Sequence, residues 1–278
     1  MIAAIEVVDK RPKGPVKKLR SLFHPYELSA RVKKQNKISI LQLTYKQYRG
    51  AFRIERLVPY LRGCSRNLLC SKELDAELSP FRRFECCDFA EIMMLNFVKD
   101  ILKKAEPFSR PLKIAYLDPM GNYPETAESL LEHTSELTVV TNVPRFYETV
   151  SDKLSEEKGA SLIVSNTIDA LSDCDILLCS EAVDIHLPLP ADAIVFCVEK
   201  PCVSLKNTVV YEYCVPVPYK YQRLKPDHLD DFYFLSALYS LCSADELSRL
   251  VPISCADGDA VYSAERLSGR LGAVGCTA

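Results

Sequence analysis

The side chains best suited to chemistry lie in three short segments, each following a short apolar run. The first, Asp118-Pro119-Met120-Gly121-Asn122-Tyr123-Pro124-Glu125, combines one glycine with two acids and an amide, a composition that suits a tight turn facing a polar ligand. The second, Asn142 to Arg145, brings an amide and a cation to the end of another such run. In the third, Ser180, Glu181 and Asp184 precede His186, the one histidine of four that follows a central apolar run. An imidazole in such a loop can take or give a proton near neutral pH, with Glu181 or Asp184 as its carboxylate partner. A lone loop histidine is more often solvent-facing than catalytic, and the spacing of His186 to the two acids matches no recognised catalytic signature. No G-x-S-x-G elbow, H-E-x-x-H motif or Walker loop occurs in the chain.

Positioning these segments requires strands that end together. From residue 111 onward, apolar runs recur at 113–117, 137–141, 162–165, 176–180, 193–198 and 209–215, with helical stretches between the early ones. Short, continuous apolar strands alternating with helices indicate parallel strands buried on both faces, and right-handed crossovers then give a doubly wound sheet. Phe146, Val150 and Leu154 mark one face of the helix after the second strand. In such a sheet ligands bind beyond the carboxyl ends of the strands, which places Asp118, Gly121, Asn122, Asn142, Arg145, Ser165 and Ser180 at the expected ligand site.

The segments VVTNVPRFYETVSDKL and SNTIDALSDCDILLCSE resemble the NAD(P)-binding domain of the shikimate dehydrogenase and glutamyl-tRNA reductase type, over residues 112–200. The resemblance is one of superfamily layout, not of a specific family. It implies a Rossmann-like fold, NAD(P) as a candidate cofactor, and Asn142 with Arg145 as candidates for holding an NADP 2′-phosphate. A cytoplasmic NAD(P)-dependent oxidoreductase is the corresponding function.

The turn departs from that pattern. A diphosphate needs G-x-G-x-x-G so that the backbone can approach it closely, and here only Gly121 remains. Pro119 removes an N–H donor, while Asp118 and Glu125 put negative charge where a phosphate would sit. Asn122 and Glu125 fit a capping box, which would satisfy the following helix from its own side chains. An ordinary dinucleotide pose is therefore disfavoured. The alternatives are a less anionic ligand, a shifted dinucleotide, or a plain turn in a non-catalytic adaptor or assembly protein that keeps the fold without the chemistry.

The N-terminal part reads as a small basic α+β domain. Strands are expected at 2–8 and 37–43, a loop with a short helix between them, and a further helix at 52–61. A helix beginning at Asp88 fits a capping box with Glu91, and Phe89, Ile92, Met93, Phe97, Val98, Ile101 and Leu102 form its buried stripe. A later helix spans 229–250, and the small-residue stretch 268–278 is expected to be mobile. The expected division is 1–108, 109–252 and a C-terminal extension 253–278.

Composition bounds the rest. With 48% hydrophobic and 26% charged residues and no apolar run of membrane-spanning length, a soluble chain without a membrane partner is expected. Glu6 and Asp9 near the start suit a first strand better than an export signal, so a cytoplasmic setting with reduced thiols is expected. Of twelve cysteines, Cys179, Cys197 and Cys214 sit in apolar runs as small hydrophobes, and Cys64, Cys70, Cys86 and Cys87 lack zinc-knuckle spacing. Residues 1–66 hold 16 Lys and Arg against 4 Asp and Glu, although the whole chain is at −2. This asymmetry suits docking on an acidic surface, including one on a second copy of the chain, better than nucleic acid, for which no binding motif is present.

Overall fold

The computed structural model describes residues 1–10, 12–14, 19, 21–86, 88–104, 111–158 and 161–274, with the side chains of 152–158 and 272–274 left aside. Residues 1–86 with 216–247 form one compact unit, and 87–215 with 248–278 form the other. The units interleave along the chain, unlike the contiguous division 1–108, 109–252 and 253–278 that sequence suggests.

In the first unit, β1 (Ile2–Asp9) runs parallel to both β3 (Ile38–Gln47) and β4 (Asn67–Leu69). β2 (Tyr26–Gln35) pairs antiparallel with β3, and β5 (Arg82–Arg83) closes the order β2-β3-β1-β4-β5. The strand β2 replaces part of the loop expected between 8 and 37. Its sequence hides it, because an edge strand that is exposed or half-buried along its whole length, and carries Arg31, Lys33 and Lys34, needs no apolar alternation. The helix expected at 52–61 is two short turns, Ile54–Arg56 and Val58–Leu61, which bury Ile54 and Leu61. The last part of this unit carries a helix at Asp231–Cys242, started by Asp230 accepting from Tyr233 N at 3.1 Å and stopped by Ser243 in the left-handed region. It is shorter than the expected 229–250.

The second unit opens with α1 (Asp88–Lys104). Its buried face includes Phe89, Met93, Phe97, Val98 and Ile101, as the helical spacing predicts. Phe97 meets Phe196 and Tyr213 edge-on, both at 6.4 Å. The expected capping role of Glu91 does not hold. Glu91 lies in the buried stripe and takes a hydrogen bond from Tyr116 instead.

The sheet that follows is wholly parallel: β6 (Ile114–Leu117), β7 (Glu136–Val140), β8 (Ser161–Ser165), β9 (Ile176–Cys179), β10 (Ile194–Cys197) and β11 (Thr208–Val210). Its spatial order is β11-β10-β9-β6-β7-β8. Counted from its first strand this is 3-2-1-4-5-6, the doubly wound Rossmann order, with the direction of winding reversing between β6 and β9. All residues of β6, β9 and β10 are buried, which explains why they read as unbroken apolar runs. Cys179 and Cys197 are register partners and both are buried, whereas Cys214 is exposed, contrary to its expected burial. The run 209–215 is divided. After β11 the chain leaves the sheet, and β12 (Glu212–Cys214) joins β13 (Ser254–Ala256) and β14 (Val261–Tyr262) in a small antiparallel sheet.

The stretch expected to be mobile is largely the helix Ala264–Val274, anchored by buried Leu267 and Leu271; residues 275–278 lie outside the described residues. No helix among the described residues is long and apolar enough to cross a membrane.

Candidate functional site

The chain leaves β6 at Leu117 and immediately buries a carboxylate. Asp118 has no exposed surface. Its main-chain oxygen accepts from Gly121 N at 3.2 Å, closing a turn with Pro119 in the position where its fixed φ is favourable. Its side chain does more. Oδ1 accepts from Asn122 N at 3.2 Å and from Ser180 Oγ at 3.1 Å, while Oδ2 accepts from Tyr123 N at 3.0 Å and from the Tyr147 hydroxyl at 2.5 Å. Burial and the adjacent carboxylate push the Tyr147 phenol far above its ordinary pKa, so it remains a donor at any physiological pH.

The expected capping box of Asn122 and Glu125 is absent. The following helix, α2 (Pro124–Leu130), is entered through Tyr123, whose side chain makes no capping bond, and Pro124 occupies the first helical position. The turn is satisfied from its own residues, as the sequence suggests, but the acceptor is Asp118. Gly121 is required there twice over. Its φ is +67°, and an added Cβ would lie 2.5 Å from Val143 Cγ2 and 2.7 Å from Phe146 Cδ2.

The next helix, α3 (Arg145–Lys158), turns Tyr147 inward and leaves Phe146 44% exposed, so Phe146 does not belong to the inward face expected of it; Val150 is half-buried and the side chain of Leu154 lies outside the described residues. Arg145 is exposed, with its guanidinium 5.1 Å from the Phe146 ring centroid. The β7 end is held by Val143 N donating to Thr141 Oγ1 at 3.2 Å and by Asn142 N donating to Pro119 O at 3.1 Å.

A cleft of about 340 Å³ opens at these strand ends, beside the reversal between β6 and β9. Leu117, Val140, Ile168 and Val183 form an apolar wall, and Thr141, Asn142, Asn166, Glu181 and Asp184 supply polar groups. The volume is at the small end for an organic ligand. Burial, followed by the Asp118 charge, raises the Glu181 carboxyl above the usual carboxylate range. No lysine, arginine or histidine lines the cleft among the described residues.

The structure thus brings Asn142, Glu181 and Asp184 to one cleft. Asp118 and Gly121 are buried in its supporting turn and Ser180 is buried beside that turn at the end of β9; none of the three lines the cleft, and Asn122 is exposed outside it. Ser165 accepts from Thr167 N at 3.1 Å and shapes the bend after β8. His186 is exposed and outside the lining.

Glu91 and Tyr147 are the residues that sequence reasoning misses. Glu91 is 2% exposed; the Tyr116 hydroxyl donates to Oε1 at 2.8 Å, and Oε2 has no hydrogen-bond partner among the described residues. Burial raises its pKa to about 7; Tyr116 and Thr126 pull it down, while the charges of Asp118 and Glu125 raise it. The signal was its place in the apolar stripe with Met94, Val98 and Ile101.

Among the described residues no group of three or more His, Cys, Asp or Glu could hold a metal ion; Cys87, of the Cys64, Cys70, Cys86 and Cys87 grouping, lies outside them. The fit to a dinucleotide fails at the turn. The N–H groups of Gly121, Asn122 and Tyr123 are bound to Asp118, and Pro119 has none to offer.

No family model matches the chain, and no curated protein matches it. Solved structures show distant likenesses. L-tryptophan dehydrogenase from Nostoc punctiforme aligns with a TM-score of 0.34 and 11% identity over 100% of this chain and 90% of that one. Quinate dehydrogenase from Corynebacterium glutamicum in complex with NAD gives 0.30 and 8% over 71% and 80%. Delta(1)-pyrroline-2-carboxylate reductase from Thermococcus litoralis, in complex with NADH and L-proline, gives 0.30 and 15%; this chain covers 36% of its length, and 40% of this chain is matched. At such scores no residue role transfers, and the Rossmann-like layout stands on the strand order of the sheet.

Proposed function

We propose that this chain binds a small, nucleoside-like molecule at the carboxyl ends of β6, β7, β8 and β9, without a diphosphate seated on the turn at Gly121. The observation that carries the reading is the cleft. Asn142, Asn166, Glu181 and Asp184 line it beside an apolar wall, and none of these four side chains is engaged in a hydrogen bond or ion pair among the described residues. Free amides and carboxylates beside apolar surface suit a flat ring bearing hydroxyl or amino groups. The absence of a lining cation argues against a ligand with several negative charges.

Oxidoreductase chemistry on NAD(P) is the narrower version of this function. It requires the diphosphate to lie away from the turn, towards exposed Arg145, and a proton carrier other than His186 in its present position. Glu181 is the better-placed group for that role, since burial already favours its protonated form.

Thermal-shift titrations with adenosine, S-adenosylmethionine, NAD(P)(H) and ADP-ribose test the reading. Stabilisation by adenosine or S-adenosylmethionine is expected, reduced by Asn142→Ala and Glu181→Gln. If none of these compounds stabilises the protein at millimolar concentration, the non-catalytic adaptor is the surviving function.

A further inference from the structure

The turn at the end of β6 holds an anion already. Four donors from three parts of the second unit converge on the Asp118 carboxylate: the main-chain N–H groups of Asn122 and Tyr123, the hydroxyl of Tyr147 on α3, and the hydroxyl of Ser180 after β9. They share the two oxygens evenly, two donors to each, and the carboxylate is shut away from water. Among the described residues no cation is one of its partners. The negative charge is therefore compensated by oriented N–H and O–H dipoles alone, which is how backbone turns bind phosphate.

We propose that Asp118 is the specificity-determining residue of this site, a resident anion that occupies the donors a phosphorylated ligand would use and so restricts the cleft to ligands without phosphate at the turn. This deepens the nucleoside-like reading and takes the same cleft as the ligand site, but its support is the bonding of the turn rather than the cleft's lining.

The position explains the choice of residue. Asp118 directly follows the last residue of β6, so its side chain is short enough to fold back over Asn122 and Tyr123, four and five residues on. Pro119 and Gly121 give the chain the reversal this needs. A ligand phosphate could displace neither the covalently tethered carboxylate nor its four bonds. A phosphate beside the turn would meet like charge with no lysine or arginine among the described residues lining the cleft to offset it.

The test uses formate as a probe of the seat and inorganic pyrophosphate as a probe of selectivity. In Asp118→Ala, folded by circular dichroism, the four donors lose their acceptor. Formate is expected to raise the melting temperature of this variant and not that of wild type, and pyrophosphate to bind the variant about tenfold more tightly than wild type, the scale of one charge-assisted hydrogen bond. Asp118→Asn keeps the shape and fills the seat, so formate is expected to leave it unchanged. A folded Asp118→Ala protein indifferent to both anions would overturn the proposal, as would wild type binding pyrophosphate as tightly as the variant. Amide hydrogen exchange on wild type gives a readout that needs no variant. Asn122 and Tyr123 are expected to be protected, with no change on adding pyrophosphate; fast exchange at both would refute the resident-anion role. Failure of adenosine to bind would remove the cleft reading while leaving these outcomes intact.

Discussion

The Tyr116 hydroxyl donates to Glu91 Oε1 at 2.8 Å, while Glu91 Oε2, on the same buried carboxyl group, has no hydrogen-bond partner among the described residues. A carboxylate in that position is costly, and the group responds by holding its proton, with a pKa raised from 4.5 to about 7. In the unfolded chain the proton leaves near 4.5. Between these values the folded state binds more protons than the unfolded one, so stability must fall as pH rises. The contribution is fully present below about 4.5 and lost by the time the pH has passed about 7. The loss amounts to about 3 kcal/mol at most. Glu91→Gln keeps the acceptor for Tyr116 and removes the ionisation. Denaturant midpoints measured across this range should slope downward for wild type and be flatter for the variant, which is the more stable protein at pH 8.

Gly121→Ala is expected to destabilise the second unit by about 2–4 kcal/mol, from left-handed backbone strain plus steric overlap. The overlap falls on the side chains of Val143 and Phe146 rather than on backbone. Val143→Ala in the same chain should therefore recover part of the loss, leaving the backbone share. Equal stability of the single and double variants would show that the close approach to Val143 has no energetic consequence.

What could be read from the sequence follows from where each signal is written. The buried parallel strands were legible because both faces are apolar, and β6, β9 and β10 stand where the runs 113–117, 176–180 and 193–198 place them. Strand β2 was not, since its exposed edge carries lysines instead of alternation. That the turn satisfies its own N–H groups is expected from sequence only through a capping box of Asn122 and Glu125, which does not form. The acceptor was not legible, because Asn122 and Glu125 mimic a capping box whereas the bonds run back to Asp118. Asn142, Glu181 and Asp184 meet in the cleft because strand ends converge in this topology, but nothing local distinguishes them from exposed His186. Tyr147 shows the limit most clearly. Its neighbour Phe146 is the more apolar residue, yet it is the tyrosine that turns inward, where its hydroxyl donates to the buried carboxylate.

Tyr147→Phe removes one hydroxyl from that carboxylate without changing the shape of the core. A hydrogen bond to a buried charged acceptor is worth about 1.5–3 kcal/mol, and the loss should appear in the midpoint of urea unfolding with the slope unchanged. Ser180→Ala should cost less than Tyr147→Phe, because Ser180 reaches Oδ1 at 3.1 Å, the longer of the two hydroxyl contacts. If both variants unfold with the wild-type midpoint, hydrogen bonds to Asp118 do not hold the turn.

The thiols separate by burial rather than by sequence neighbourhood. Cys70, Cys174, Cys179, Cys197 and Cys255 are buried, and Cys202 and Cys214 are exposed. Only a thiolate attacks iodoacetamide, and burial raises the Cys70 thiol to about 11 and those of Cys174 and Cys255 to about 12. Brief native alkylation read by peptide mass spectrometry should therefore mark Cys202 and Cys214 and spare the five buried sites until denaturant is added. Cys179 and Cys197 offer the sharpest check, since they face each other in register on adjacent central strands. Their labelling in native buffer at the rate of Cys202 would mean that β9 and β10 separate readily, contrary to a sheet buried on both faces.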